Sequence, residues 1–289
     1  MLIRRALVTL ALFGALAWTL VPLARALLLV AHGPVGTTSL TTFPNVSFTA
    51  SDGVSLVGTY MPAEGARSTV VLVHGFKNTH GDMLEHARFL HDAGYAVLLF
   101  DSRGCGGSGG TFGVGATEDR DIIGAVSYLK ASGRPASDRV AVLGVSLGAG
   151  DALLAAARDP RIAAVVADSS WPDERVQMDR MAAVQIGPLA IPLLPYEPAL
   201  VDQLIGGRLE DARPRAEVAR IAPRPVLFIH SADDQNATTP LADAQAMFAA
   251  AGDPKDMWIA PRGGHAGALG ANHDEYVRRV LAFLDGALR

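Results

Sequence analysis

The 289-residue sequence has one cysteine, few charged residues and no excess of basic ones, and each shortage excludes a class of protein. A single thiol, Cys105, forms neither an intramolecular disulfide nor, by itself, a thiolate zinc site, so the fold depends on its core. The net charge is −4 and no basic stripe marks a nucleic-acid surface, so no nucleic-acid partner is expected. Charged residues make up 19% and apolar residues 49%, which excludes a disordered chain and predicts contact with a membrane.

Apolar residues are concentrated at the amino terminus. Arg4 and Arg5 precede residues 6–24, which carry no charge. About 20 helical residues cross a bilayer core, so residues 1–31 are predicted to form a transmembrane anchor. A signal peptide cleaved after Ala26 is the alternative, which we disfavour because the uncharged run exceeds the usual apolar region of about 7–15 residues.

The basic residues around this segment are unevenly placed. No Lys or Arg occurs between Ala26 and Ala66, whereas Arg4 and Arg5 lie before the span. The positive-inside bias then predicts a single-pass protein of the cell membrane, with its body on the extracytoplasmic side. Cleavage would instead give a secreted or periplasmic protein.

A polar linker, residues 32–45, leads to a body, residues 46–289, in which the pattern changes. Two β-rich runs at 46–50 and 54–60 predict an opening hairpin. Beyond it, continuous apolar runs alternate with helix-length segments, which is typical of a mostly parallel sheet covered by helices on both faces. The predicted strands are 69–74, 96–101, 139–144, 162–168, 225–230 and 256–260, and the predicted helices are 81–93, 117–131, 147–157, 241–251 and 273–288.

One stretch interrupts this alternation. About 50 residues, 171–220, separate two predicted strands, and within them residues 181–201 are apolar but contain several prolines. The prolines exclude a second transmembrane helix. We interpret this stretch as a cap inserted over an active site; the alternative is that it only packs on the body.

The sharpest local motif is G-x-S-x-G at residues 144–148, between a predicted strand and a predicted helix. In this context the central residue, Ser146, lies on a strained turn that lifts its hydroxyl above the sheet edge, and the glycines leave room for the neighbouring elements. A serine that merely caps the helix is the alternative, which the strand before it disfavours. The motif therefore predicts a serine nucleophile.

A serine hydroxyl needs a base to remove its proton, and the base needs an acid to orient it. Two successive predicted strands are followed by the pair Asp233-Asp234 and by a glycine-rich loop that contains His265. The order serine, aspartate, histidine is the one found with a nucleophile elbow of this kind. Ser146, His265 and one of the two aspartates are the predicted triad.

The negative charge that develops on a substrate carbonyl needs two preorganised donors. We predict the backbone amides of Leu147, next to the nucleophile, and of Phe76, in the loop His74-Gly75-Phe76 after a predicted strand. His74 is expected to brace that loop. The other histidines are expected in structural positions: His230 in the core, His273 on the surface, and His80, His86 and His91 on or beside a surface helix.

In this order, these motifs resemble the bacterial α/β-hydrolase superfamily, in particular serine hydrolases of the prolyl-oligopeptidase-like and cap-bearing esterase/lipase branches. The matching segments are residues 74–75, 101–109, 144–148, 223–230 and 264–265. The resemblance implies an α/β-hydrolase fold and catalysis without metal or cofactor. It also implies Asp234 as the acid, since the family pattern His-Gly-x-x-Asp places the acid four residues after a histidine, here His230, although Ser231 replaces the glycine.

The sequence thus predicts a serine hydrolase, carboxylesterase-like, that cleaves small-molecule carboxylic esters or thioesters through an acyl-enzyme. An apolar cap near a bilayer fits a lipid-like substrate, and Trp171 at the start of the cap is the candidate for lining the acyl site. A peptidase is disfavoured because it normally carries a large accessory domain. The alternative from another class is a non-catalytic hydrolase-fold binding or scaffold protein at the membrane, which the complete triad disfavours.

Overall fold

A central sheet of eight strands organises the body. The computed structural model describes residues 2–35, 43–186, 189–192 and 196–288. The strands are β1 (Asn45–Thr49), β2 (Ser55–Met61), β3 (Ser68–Val73), β4 (Ala96–Phe100), β5 (Arg139–Val145), β6 (Ile162–Asp168), β7 (Ala183–Ile186), β8 (Leu189–Pro192), β9 (Val226–Ser231) and β10 (Lys255–Ala260). The sheet order is β1-β2-β4-β3-β5-β6-β9-β10, and β7 and β8 form a separate antiparallel hairpin. Only the pairs β1–β2 and β2–β4 within the eight-stranded sheet are antiparallel.

Helices cover both faces of this sheet. They are α1 (Leu2–Val30), α2 (Leu84–Asp92), α3 (Asp119–Ala131), α4 (Leu147–Arg158), α5 (Glu174–Met181), α6 (Glu197–Ile205), α7 (Pro214–Glu217), α8 (Leu241–Ala250), α9 (Ala268–Ala271) and α10 (His273–Ala287). Side chains alternate along β3: Val71 and Val73 pack with α3 and α4, whereas Val70 and Leu72 pack with α2 and α10. The predicted fold class is confirmed, and every predicted strand and helix overlaps an observed one.

α1 is the one helix in the described part of the chain that is long and apolar enough to cross a membrane, over residues Ile3–Val30. Most of its side chains are exposed. Ala26 and Val30, near its end, are buried in an apolar cluster with residues of the body, including Cys105 and Phe112. The last turns of α1 are therefore packed on the body.

The inserted segment between β6 and β9 contains α5, the β7–β8 hairpin, α6 and α7. Two short 3-10 turns, Leu209–Asp211 and Val218–Ile221, complete it. The predicted cap, residues 171–220, lies within this segment. Its central apolar stretch falls partly outside the described residues, namely at 187–188 and 193–195.

Candidate active site

Ser146 lies on the turn between β5 and α4, with φ +55° and ψ −116°. This left-handed backbone is strained for a serine and fits the nucleophile elbow. A Cβ on Gly144 would lie 2.1 Å from the carbonyl oxygen of Gly148, and a Cβ on Gly148 would lie 2.5 Å from that of His74. A side chain at either position would clash with backbone atoms, which cannot move aside as a flexible side chain could. Both positions therefore require glycine.

The side chains of Ser146, His265 and Asp234 form a continuous hydrogen-bonded chain. Ser146 Oγ lies 2.8 Å from His265 Nε2, and His265 Nδ1 lies 3.0 Å from Asp234 Oδ2. The Asp234 side chain is fully buried, and its Oδ1 accepts a hydrogen bond from the Asn236 amide at 2.8 Å. These distances fit a histidine that donates from Nδ1 to the carboxylate and accepts the serine proton at Nε2.

Asp233, the other aspartate that the residues alone left open, is placed differently. Its Oδ1 accepts a hydrogen bond from the Gly264 amide at 2.8 Å, in the loop that carries His265. This bond lowers the pKa of Asp233 below its ordinary value. Asp233 therefore holds the backbone of the loop, while Asp234 contacts the imidazole.

A second group of polar side chains, at the carboxyl end of β6, holds the loop that carries His265. The Ala266 amide donates to Ser169 Oγ at 3.1 Å, and Ser169 Oγ donates to Asp168 Oδ1 at 3.0 Å. The Tyr276 hydroxyl lies beside the same carboxylate. Burial raises the pKa of Asp168 to about 6. The sequence reasoning missed Asp168 and Ser169, and the only signal available was their position at the carboxyl end of β6.

Thr239 is a third neighbour of the His265 imidazole, and the sequence did not point to it. Its buried hydroxyl lies 3.2 Å from His265 Nδ1, on the same nitrogen that faces Asp234. Thr239 follows the acid loop, in a Thr-Thr-Pro run that carries no catalytic motif. Thr239 therefore helps to fix the orientation of the ring.

The two predicted oxyanion donors belong to segments that meet at Ser146. Leu147 is the first residue of α4, so its amide has no acceptor within the helix. Gly75 lies against Ser146 Cβ, and Phe76 follows it in the loop after β3. His74 is buried beneath this loop: its Nδ1 lies 2.8 Å from the Gly75 carbonyl, and its Nε2 accepts the Ser102 amide at 3.0 Å. His74 thus braces the loop, as the sequence predicts.

A cavity of about 460 Å³ opens over the serine. Ser146, His265, Phe76, Leu147 and Trp171 line it together with further residues of the segment inserted between β6 and β9. Trp171 is only 1% exposed, and its Nε1 donates to the Leu147 carbonyl at 2.8 Å. Trp171 therefore contributes to the cavity wall and also fixes the residue that follows the nucleophile.

Glu174, at the start of α5, brings a carboxyl group to the same wall. Its side chain is buried and its Oε2 accepts a hydrogen bond from Gln177 Nε2 at 3.2 Å. Burial raises the pKa of Glu174 well above its usual range. Burial therefore disfavours the charged form of this carboxyl group in the cavity wall.

His80 and His86 lie beside and on the surface helix α2, as expected, but the side chains of both are buried. His80 Nδ1 lies 2.7 Å from Asp101 Oδ1, and His86 Nε2 lies 3.3 Å from the Tyr276 hydroxyl. His86 also lines the catalytic cavity, and its burial lowers its pKa to about 4. Both histidines face inward because the 3-10 turn His80–Met83 and α2 pack on the sheet and α10.

His230 also differs from the expectation of a satisfied core histidine. It is fully buried, and its Nε2 lies 3.2 Å from Asp234 Oδ2, the oxygen that also faces His265. Neither ring nitrogen makes a hydrogen bond of good geometry with the described residues. Burial lowers the pKa of His230, so it is a neutral ring packed against the acid.

Among the described residues, no group of three or more His, Cys, Asp or Glu side chains could hold a metal ion. The polar atoms near Ser146 instead form the hydrogen-bonded chain of a hydroxyl, an imidazole and a carboxylate. Such an arrangement supports acyl transfer from an ester, thioester or amide to water.

Relatives of the chain match it over most of its length. A family model for X-Pro dipeptidyl-peptidase (S15 family) matches residues 52–187. YqkD, an uncharacterized protein of Bacillus subtilis, is 30% identical over 240 residues, which cover 81% of this chain and 76% of YqkD. YfhR, an uncharacterized protein of Escherichia coli K12, is 27% identical over 255 residues, which cover 84% of this chain and 81% of YfhR.

Solved structures share the same fold. The Pyrococcus furiosus esterase Pf2001 matches with a TM-score of 0.74 at 23% identity, over 90% of this chain and 100% of that chain. The esterase domain of a Rhodothermus marinus protein matches with a TM-score of 0.60 at 21% identity, over 84% of this chain and 97% of that one. The chain belongs to the α/β-hydrolase superfamily of serine hydrolases. At the level of that family, its activity is that of a hydrolase.

Proposed function

We propose that the protein is a serine esterase that cleaves carboxylic esters or thioesters through a Ser146–His265–Asp234 triad. The observation that supports this most directly is the hydrogen-bonded chain from Ser146 Oγ to Asp234 Oδ2 at the base of an open cavity. A histidine that is hydrogen-bonded to both a serine and a buried carboxylate is the arrangement that activates a serine nucleophile.

In the proposed mechanism, His265 Nε2 takes the proton of Ser146 as Oγ attacks the acyl carbon. The amides of Phe76 and Leu147 donate to the oxyanion of the tetrahedral intermediate. His265 then gives its proton to the leaving alcohol or thiol, and Asp234 stabilises the imidazolium between these steps. Water, activated by the same histidine, releases the acid and restores the serine. No metal or cofactor takes part in these steps.

We further propose that α1 is an uncleaved anchor, with Arg4 and Arg5 in the cytoplasm and the catalytic body on the extracytoplasmic side. The length and hydropathy of α1 support a membrane span, and the basic residues before it support this orientation. The packing of Ala26 and Val30 on the body favours retention, because cleavage after Ala26 would remove part of that contact.

The test uses the full-length protein in detergent with p-nitrophenyl esters of increasing acyl length. Wild type should hydrolyse them, while Ser146→Ala and His265→Ala should each lower kcat/KM by about three orders of magnitude or more. Ser47→Ala, an exposed serine on β1, is the matched control and should leave the rate unchanged. Equal rates in Ser146→Ala and wild type would refute the proposal. An inert wild type would favour the non-catalytic binding protein.

A dipeptidyl-peptidase is the second candidate, because the matching family model carries that description. The described lining of the cavity includes Asp82 and Glu174 and contains no Lys or Arg. Such an acidic lining would suit the amino group of a peptide substrate. The burial of Glu174, however, disfavours the negative charge that would attract an amine, so we place the esterase first. Cleavage of an X-Pro p-nitroanilide at a higher kcat/KM than any ester in the series would reverse this order.

A further inference from the structure

The last turns of α1 are hydrogen-bonded to the body at two places. Arg25 Nε donates to Glu197 Oε1 at 3.0 Å, and Glu197 is a buried residue at the start of the cap helix α6. Lys77 Nζ donates to the Leu28 carbonyl at 2.5 Å, and Lys77 follows the oxyanion-loop residue Phe76. The anchor therefore contacts the cap and the oxyanion loop together.

The contact between α1 and the cap extends into the apolar part of the helix. The rings of Trp18 and Tyr196 have centroids 5.8 Å apart. Trp18 precedes Arg25 by seven residues, or about 10 Å of helix. The charge of Arg25 keeps this residue at the membrane surface, so Trp18 and the Tyr196 ring beside it lie on the bilayer side of Arg25. The face of the body that carries α6 and the oxyanion loop is thus turned toward the bilayer.

A groove of about 260 Å³ runs between α1 and the oxyanion loop on this face. Its lining consists of Arg25, Leu28, Leu29, Phe76 and Lys77. Leu28 is 69% exposed and Phe76 is 42% exposed, so the apolar surface of the groove continues that of the membrane helix. Phe76 also lines the catalytic cavity. Phe76 is therefore a lining residue shared by the groove and the cavity over Ser146.

We propose that this groove receives the acyl chain of an ester lipid that resides in the bilayer, and so leads the ester from the leaflet to Ser146. The chain leaves the lipid phase along Leu28 and Leu29 and passes Phe76, which places the ester carbonyl near the two oxyanion amides. Hydrolysis breaks the acyl carbon–oxygen bond, with water supplying the hydroxyl of the acid and the proton of the alcohol. This inference rests on the proposed esterase function and specifies its substrate class.

The test uses the full chain reconstituted in phosphatidylcholine vesicles. Two substrates are compared: p-nitrophenyl palmitate embedded in the bilayer and water-soluble p-nitrophenyl acetate. Leu28→Trp fills the groove, and Leu27→Trp is the matched control, since Leu27 is the adjacent exposed leucine and does not line the groove. Leu28→Trp should lower the ratio of kcat/KM for palmitate to kcat/KM for acetate about ten-fold or more, whereas Leu27→Trp should leave it unchanged.

The acetate rate separates the possible failures. If the wild type hydrolyses acetate but not the embedded ester, or if Leu28→Trp and Leu27→Trp give the same ratio, the groove proposal is refuted and the esterase proposal stands. If the wild type hydrolyses neither substrate, the esterase function fails, and this inference fails with it. Acetate hydrolysis by Leu28→Trp also shows that this variant is folded.

Discussion

Replacing Asp168 by Asn should remove a pH dependence of stability that originates beneath the catalytic histidine. Burial raises the pKa of Asp168 from an ordinary value of 3.8 to about 6. The groups that act on it are Ser169, Tyr276 and His265, which favour the charged form, and Asp234, which opposes it. The folded state binds this proton more tightly than the unfolded state. The stabilisation that this proton contributes is therefore fully present below about pH 4 and is lost as the pH rises through about 6.

The size of the effect follows from the difference between the two pKa values. About two pKa units correspond to about 3 kcal/mol over the whole range, and to about 2 kcal/mol between about pH 4.5 and pH 7.5. Asn keeps the shape of Asp168 and an oxygen that accepts from Ser169, but it does not ionise. The difference in unfolding free energy, Asp168→Asn minus wild type, should therefore rise by about 2 kcal/mol over that interval.

The assay is urea unfolding of the full-length protein in detergent, followed by tryptophan fluorescence at the two pH values. Ser47→Ala serves as a control for the handling of variants, because its side chain lies on the exposed edge strand β1. The same difference between Asp168→Asn and wild type at both pH values would refute the reasoning. It would show that Asp168 carries its charge in the folded protein as readily as in water.

Three further predictions concern the site and its surroundings. Asp234→Asn should lower kcat for ester hydrolysis by about four orders of magnitude, because the imidazole loses its orienting acid, whereas Asp233→Asn should cost less than about ten-fold; equal losses in a steady-state assay would contradict this. Cys105, whose burial raises its pKa to about 12, should resist iodoacetamide at about pH 8 in the native protein and react after unfolding in urea, as mass spectrometry would show. Gly148→Ala should destabilise the fold by about 1–3 kcal/mol, and the added methyl group should displace the oxyanion loop by pushing on the His74 carbonyl. A melting temperature and a hydrolysis rate like those of wild type would count against the elbow geometry.

Much of the architecture could be predicted from local patterns. The strand β5 and the helix α4 follow from an apolar run and a glycine-flanked serine, and residues 144–148 fix where one ends and the other begins. His265 could be located because a glycine-rich loop after a strand places it at the same sheet edge as Ser146. In each case the residues that matter are close in sequence or are positioned by one sheet.

The features that could not be predicted from local patterns depend on contacts between distant segments. His86 meets Tyr276, 190 residues away, so the amphipathic pattern around His86 does not show that it faces inward. Likewise, Asp233 and Asp234 are adjacent, so the residues alone leave the choice open; the family resemblance favours Asp234, and the path of the loop after β9 places Asp234 against the imidazole. The packing of the end of α1 on the cap is of the same kind, because hydropathy identifies a span but not the partner of Arg25.

The most direct test of the central claim is covalent labelling of the full-length protein with a fluorophosphonate probe, with the adduct located by peptide mass spectrometry. Such a probe reports an activated serine whatever the substrate. We predict an adduct on Ser146 in the wild type and its loss in His265→Ala, while Ser47→Ala labels normally. An unlabelled wild type, or equal labelling of Ser146 with and without His265, would contradict it.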